Sequence, residues 1–329
     1  MKVLVTGATG FLGFRVLEGL IQLDKVKEIV ATGREIKNTH RITDIKISYH
    51  LGDLSNENFV NEITLGIDVI IHCAALSSPW GGYADFYSAN VLSQKNLIKA
   101  AEKRGVGRYI YISTPSLYFY SEKNTDIKES DPLPSKFVNA YAKTKREAEI
   151  LLEKSYLPYV ILRPRALIGR GDTVIMPRII RAVNEKRLKI IGNGQNIVDL
   201  TAVSNVVKAI ILSINASELA LRQTYNITNG EPVKLWEKIN VVLKQMNLEY
   251  PKKKVPKALV LAIAYWLEFS SRLTHKKEPP LTVYGVGTLC NSLTMDITKA
   301  KSLLGYEPET TIDEAIREFV IWYNQNEKS

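Results

Sequence analysis

Tyr141 and Lys145 stand four residues apart in Tyr141-Ala142-Lys143-Thr144-Lys145, a spacing that puts both side chains on one face of a helix. A phenol keeps its proton until about pH 10, so acid–base work near neutrality needs its pKa lowered by about 2 to 3, roughly 3 to 4 kcal/mol of differential stabilisation. Cations beside the phenol, from the lysine and from a bound cofactor, favour the phenolate and can supply that change. Such a pair is common by chance. Its weight comes from Ile112-Ser113-Thr114-Pro115-Ser116-Leu117-Tyr118, an apolar strand running into hydroxyls that can polarise a carbonyl oxygen. Thr114 is the first choice among them, with Ser113 and Ser116 as alternatives.

Carbonyl chemistry of this kind needs a second reactant, and the start of the chain offers a place for one. Lys2-Val3-Leu4-Val5 reads as a strand, Thr6-Gly7-Ala8-Thr9-Gly10-Phe11-Leu12-Gly13 as a turn, and Phe11 to Leu23 as the helix that leaves it. Gly7 permits a tight turn, Gly10 lets the backbone approach a pyrophosphate, and Gly13 lets the helix pack on the strand. The helix then aims its first N–H groups, from Phe11 onward, and its positive dipole end at the phosphates. Ala31-Thr32-Gly33-Arg34 ends the second strand with no carboxylate for a ribose 2′-hydroxyl and with a cation for a 2′-phosphate, which favours NADP over NAD. The competing reading of Arg34 is a solvated surface side chain. Asp53 and Leu54 come after the third strand, where Asp53 meets either the adenine side of a nucleotide or the start of a helix as its cap. After the fourth strand, Ala74 and Ala75 are small enough for a cofactor to lie against the backbone. His72 reads as a hydrogen-bonded strand-end residue rather than a catalyst, and Asn90 as a supporting polar group within a helix.

These residues must be held by alternating elements. Strands are expected at Lys2–Val5, Glu28–Thr32, Ile45–Tyr49, Ile67–His72, Tyr109–Ser113 and Tyr159–Leu162, with helices at Phe11–Leu23, Asn56–Ile63, Phe86–Arg104 and Ala140–Lys154. That alternation implies an α/β fold, a Rossmann-type doubly wound parallel sheet. From about Gly169 the elements shorten. The expected division is a cofactor domain over 1–168 and a smaller substrate-binding subdomain over 169–329, some of whose segments return to the sheet.

The chain has 329 residues and a formal charge of +10. The lysines and arginines are spread along it, with short clusters only at Lys252-Lys253-Lys254 and Lys276-Lys277, so a solvated basic face is expected and nucleic-acid binding is not. Two cysteines and four histidines without ligand spacing indicate neither a disulfide framework nor a metal site. A cytoplasmic enzyme is expected. Ala258 to Leu267 is a run of ten apolar residues, too short to span a bilayer. It reads first as a buried lid helix over an apolar substrate, and second as a peripheral membrane contact within 252–277. Trp80, Tyr118, Leu261 and Trp266 are the expected apolar walls, and a homodimer is left open.

In this order along the chain, the glycine turn, Thr114, Tyr141 and Lys145, and Arg163-Pro164-Arg165 resemble the extended short-chain dehydrogenase/reductases over essentially the whole length. The resemblance implies that Tyr141 is the proton donor, that Lys145 also holds the nicotinamide ribose, that Thr114 polarises the carbonyl, and that Pro164 lies at the cofactor. Ala74-Ala75-Leu76-Ser77-Ser78-Pro79-Trp80-Gly81, Leu162-Arg163-Pro164-Arg165-Ala166-Leu167-Ile168-Gly169 and Asp296-Ile297-Thr298-Lys299-Ala300 are most similar to the 3β-hydroxysteroid dehydrogenase-like group. Within that group they look closest to bacterial 2-alkyl-3-oxoalkanoate reductases. NADP-dependent reduction or oxidation of an apolar 3-keto or 3-hydroxy substrate is the implied activity. The alternatives are a nucleotide-sugar epimerase and a non-catalytic NADP-binding scaffold. Dehydratases of the superfamily carry an Asp-Glu pair where this chain has Pro115-Ser116, and scaffolds frequently lose the tyrosine or lysine.

Overall fold

Seven parallel strands form the centre of the molecule: β1 (Lys2–Thr6), β2 (Glu28–Gly33), β3 (Ile47–Leu51), β4 (Val69–His72), β5 (Arg108–Ile112), β6 (Tyr159–Pro164) and β7 (Gln223–Ile227). They lie in the order β3-β2-β1-β4-β5-β6-β7, and every neighbouring pair is parallel. The structure is a computed structural model that describes residues 1–36, 40–120, 124–274 and 278–326. The Lys276-Lys277 cluster, and with it the end of the 252–277 stretch, lies outside these residues.

The inner strands are buried on both faces, as parallel strands covered by helices must be. Val3, Leu4 and Val5 of β1 have no exposed surface, and β6 is buried along its whole length. One face is covered by α1 (Phe11–Ile21) and α6 (Val203–Ile214), whose Val16, Leu17, Leu20, Val206 and Ile210 share one core cluster with β1. On the other face α2 (Glu57–Ile63), α3 (Ser93–Arg104) and α4 (Ala140–Glu153) bury Val60, Leu97 and Ala148 against Leu4 and Ile70. The strand order reverses between β1 and β4, so the crevice for a ligand opens outside their carboxyl ends.

The six expected strands form with displaced ends. The third begins at Ile47 rather than Ile45, whose side chain is fully in solvent. The seventh, β7, carries no strand signal of its own, because Gln223-Thr224-Tyr225-Asn226-Ile227 lacks an apolar run. Its Asn226 is buried by satisfaction instead, accepting from Tyr118 Oη at 3.1 Å and donating to the Ile127 carbonyl at 2.9 Å. The helix expected from Phe86 starts at Tyr83 and carries a π turn over Tyr87–Leu92 before α3.

Beyond β6 lie α5 (Met176–Asn184), α7 (Leu235–Gln245), α8 (Lys257–Leu273), α9 (Val283–Cys290), α10 (Thr298–Leu304) and α11 (Ile312–Asn326). The expectation that the Ala258 to Leu267 run is buried is wrong. Only Val260 and Ala264 of α8 are buried, in a small cluster with Val283 and Val286 of α9. Leu259, Ile263, Tyr265, Trp266, Phe269 and Leu273 face outward, because this cluster occupies one narrow stripe of the helix. No helix among the described residues is long and apolar enough to cross a membrane.

Candidate active site

The glycine turn is as tight as backbone allows. Gly7 has φ +66°, and a Cβ on it would stand 2.7 Å from the Ala74 nitrogen, while a Cβ on Gly13 would stand 2.1 Å from the Gly7 carbonyl oxygen. Gly10 differs. It is exposed, caps α1 without a side-chain hydrogen bond, and a Cβ there would have only the Gly7 oxygen near it, at 3.4 Å. The first N–H groups of α1, at Phe11, Leu12 and Gly13, therefore face an open approach, the arrangement that receives a phosphate.

Other sequence-derived cofactor residues ring the same strand ends. Thr9 lies where a side chain on Gly33 would strike it, and Arg34 is exposed just past β2. Ala74 donates its N–H to Thr6 Oγ1 at 3.3 Å, Ala75 is exposed, and Pro164 closes β6. Asp53 is exposed and accepts from the Ser55 N–H at 2.8 Å. The helix-cap alternative for Asp53 fails, because Asn56 caps α2 by accepting from Asn58 and Phe59. Leu54 is buried in the core beside α3, with its carbonyl bound by Asn96 at 3.1 Å. These residues fit a dinucleotide laid across the ends of β1, β2 and β4.

The second half of the site is built on α4, whose first turn is capped by Asn139 accepting from the Ala142 N–H at 2.9 Å. Tyr141, Lys145 and Glu149 recur at intervals of four, on the face turned to β5 and β6. Thr114 caps the short 3₁₀ turn Pro115–Tyr118, accepting from the Ser116 N–H at 3.1 Å and donating to Ser116 Oγ at 3.0 Å. Ser116 Oγ is in turn 2.8 Å from Tyr284 Oη of α9. Ser113 Oγ is buried without a hydrogen-bond partner.

Charges at the site differ from the sequence expectation in one respect. Burial pushes the Tyr141 phenol above its ordinary value, the Thr114 hydroxyl opposes this, and Tyr284 adds to it. Lys145 does not lower it. Its Nζ is committed elsewhere, donating to the Ile112 carbonyl at 2.6 Å and lying 4.1 Å from the centre of the Tyr111 ring. Burial lowers the Lys145 ammonium to about 7, opposed by Glu149 and Cys73.

The supports are polar and buried. His72 is held by Thr6, Nδ1 to Oγ1 at 2.6 Å, and burial followed by the nearby Lys145 charge lowers its pKa to about 3. Asn90 accepts from the Leu76 N–H at 2.8 Å and donates to Thr144 Oγ1 at 3.1 Å, tying the segment after β4 to α4. Tyr118 is not a substrate wall: it is fully buried and accepts from Arg163 at 2.5 Å. Trp266 is 66% exposed on the outer face of α8. Sequence spacing carries no sign of Tyr284, which reaches Ser116 from 168 residues away.

The NAD dependent epimerase/dehydratase family matches residues 3–228, and the chain belongs to this family. It is an NAD(P)-dependent oxidoreductase of the extended short-chain class. Its relatives include the Arabidopsis thaliana 3beta-hydroxysteroid-dehydrogenase/decarboxylase isoform 1, 34% identical over 95% of this chain and 77% of the relative. A 2-alkyl-3-oxoalkanoate reductase of Stenotrophomonas maltophilia is 30% identical over 96% of this chain and 98% of the relative. Among solved structures, a UDP-glucuronic acid 4-epimerase from Bacillus cereus in complex with NAD has a TM-score of 0.77 at 21% identity, covering 99% of both chains. This last likeness concerns the fold.

Proposed function

We propose that the protein interconverts an apolar 3-keto compound and its 3-hydroxy counterpart with NADP(H), and that the 169–329 portion supplies most of the substrate side. The observation that carries this reading is the grouping of Thr114, Ser116 and Tyr141 with Tyr284 of α9, a helix of the 169–329 portion. Beside α9 lies α8, which packs on it through Val260 and Ala264 and sets Arg272 over the Trp80 ring at 5.7 Å. Its outer apolar stripe, with exposed Lys252, Lys253 and Lys254, suits peripheral contact with the lipid in which such substrates dissolve.

The cofactor, when bound, supplies or accepts the hydride. The protein's part is proton and charge management at the carbonyl oxygen. Tyr141 Oη donates the proton in reduction and takes it back in oxidation, and the elevated pKa of its buried phenol keeps it loaded with that proton. Thr114 Oγ1 donates to the same oxygen once it turns from Ser116. Lys145 Nζ, held by the Ile112 carbonyl at 2.6 Å, would hold the ribose of a bound cofactor.

The test is a screen of 3-oxo acids of increasing chain length, 3-ketosteroids and nucleotide sugars with NADPH and NADH, read by nicotinamide absorbance and product analysis. Specificity should climb with chain length, since each buried CH₂ contributes about 0.8 kcal/mol, roughly fourfold. Tyr141→Phe should lower turnover by roughly 100-fold or more with NADPH affinity nearly intact. Turnover of a nucleotide sugar with none of an apolar ketone overturns the reading.

A further inference from the structure

Thr114, Ser116 and Tyr284 form a line of three hydroxyls whose two ends belong to different parts of the molecule. Thr114 Oγ1 lies 3.0 Å from Ser116 Oγ, and Ser116 Oγ lies 2.8 Å from Tyr284 Oη. Thr114 and Ser116 belong to the turn after β5 and are 5% and 4% exposed, so their hydroxyls depend on protein partners. Tyr284 is the second residue of α9, and that turn is pinned. Thr282 caps α9 by accepting from the Gly285 N–H at 3.0 Å, and Glu268 of α8 accepts from the Val283 N–H at 2.8 Å. The Phe119 ring lies 5.5 Å from the Tyr284 ring, and α9 comes so near it that a Cβ on Gly287 would stand 2.2 Å from Phe119 Cζ. The phenol is therefore held at Ser116 by caps and by ring packing together.

Each hydroxyl has one proton to give and lone pairs that accept. In the structure Thr114 Oγ1 accepts from the Ser116 N–H at 3.1 Å and donates to Ser116 Oγ, which leaves the Ser116 proton for Tyr284 Oη. When Thr114 turns its proton to a carbonyl oxygen, Ser116 Oγ loses its donor in a buried place, where an unmet polar atom is costly. Tyr284 is the neighbouring hydroxyl that can replace it, because a phenol gives a proton as readily as it accepts one.

We infer that Tyr284 is a positioning residue for the reaction and acts by reversing this line, so that Tyr284 donates to Ser116, Ser116 to Thr114, and Thr114 to the carbonyl oxygen. The hydroxyls rotate about their C–O bonds, and no proton leaves its oxygen. Each hydrogen bond in such a line polarises the next, so the reversed line makes Thr114 a stronger donor as the carbonyl oxygen gains negative charge. The helix that carries Tyr284 belongs to the 169–329 portion, so the substrate side completes the donor set of the cofactor side. This inference rests on the proposed role of Thr114 at the carbonyl.

The test is a double-mutant cycle of Tyr284→Phe, which keeps the ring on Phe119, with Ser116→Ala and with Thr114→Val. It is run on whichever compound turns over, apolar ketone or nucleotide sugar, so a failure of the apolar-ketone reading shows in the choice of substrate and leaves the cycle in force. Tyr284→Phe alone should lower kcat by about 3- to 10-fold, the scale of a neutral hydrogen bond. KM should stay within about twofold, as for an interaction made in the transition state. In the Ser116→Ala and Thr114→Val backgrounds the same substitution should change kcat by less than about twofold, because the line to the carbonyl is already cut. An undiminished kcat in Tyr284→Phe overturns the inference. So does a loss of equal size in all three backgrounds, which would make Tyr284 a direct substrate contact or a support of the fold. A second readout needs no turnover: the infrared C=O stretch of 3-decanone, labelled with ¹³C at the carbonyl and bound together with NADP⁺. It should lie at lower frequency in wild type than in Tyr284→Phe, and the two should not differ once Thr114 is Val. Equal frequencies in wild type and Tyr284→Phe overturn the inference as well.

Discussion

Arg163 and Glu149 join β6 to α4 by two parallel hydrogen bonds, Nε to Oε1 at 2.8 Å and Nη2 to Oε2 at 2.6 Å, with side chains only 4% and 0% exposed. Burial alone would raise the Glu149 carboxyl, but Arg163, with Arg146, holds it below its ordinary value. The pair sits two helical turns beyond Tyr141 and one beyond Lys145. It therefore fixes how α4 presents both residues to the end of β5.

Glu149→Gln keeps the shape of the side chain and removes the charge, leaving Arg163 buried with Tyr118 as its remaining side-chain partner. Breaking a buried pair in this way costs about 3 to 5 kcal/mol. Urea unfolding of the cofactor-free protein should show a loss of that size. A loss under about 1 kcal/mol would mean that Arg163 finds other acceptors or water.

Lys145 makes a prediction about pH. Its folded pKa, lowered mainly by burial to about 7, lies below the value of 10.5 for an unperturbed lysine. Between those values the unfolded chain binds a proton that the folded chain does not, so stability rises as pH rises from about 7 toward 10. Tyr109 and Tyr111, held well above 10 by burial, withdraw stability only above that window. Unfolding free energies at pH 7.5 and 9.5 should increase for wild type and increase much less for Lys145→Met. Equal slopes for the two proteins would show that Lys145 stays charged in the fold.

The chemistry of the site is legible in the sequence where local spacing carries it. A four-residue interval places Tyr141 and Lys145 together on any helix, and a strand running into glycines at 7, 10 and 13 admits few backbone paths. What lies out of reach depends on distant partners. Tyr284 has no local pattern that sends it to Ser116, and β7 is a strand through its pairing with β6, which buries Tyr225 and Ile227 and leaves Asn226 to be satisfied by Tyr118 and Ile127. Lys145 illustrates a different loss: its position is predictable, but its hydrogen bond to the Ile112 carbonyl is set by how α4 packs on β5. The apolar run in α8 reads as buried because composition shows how greasy a helix is, not how much of it the neighbouring α9 can cover.

Arg34 carries the prediction about cofactor choice. It is exposed directly after β2, and β2 ends against the glycine turn, since the Ala8 N–H donates to the Thr32 carbonyl at 2.9 Å and a Cβ on Gly33 would stand 2.2 Å from Thr9 Oγ1. A guanidinium there would meet the 2′-phosphate of a dinucleotide if its pyrophosphate lay at Gly10, as proposed. The carboxylate next in sequence, Glu35, is also exposed and is the competing partner for a free ribose 2′-hydroxyl. Arg34→Ala should weaken NADPH by about 10- to 100-fold, the range for hydrogen bonds to a charged group, and leave NADH within about threefold. Fluorescence titration of both reduced cofactors at one ionic strength measures this, and raising the salt should weaken NADPH in wild type more than in the variant. Equal losses for the two cofactors would assign Arg34 to a phosphate that both carry. Tighter binding of NADH than NADPH by wild type, reversed in Glu35→Gln, would give the ribose to Glu35 and make NAD the working cofactor.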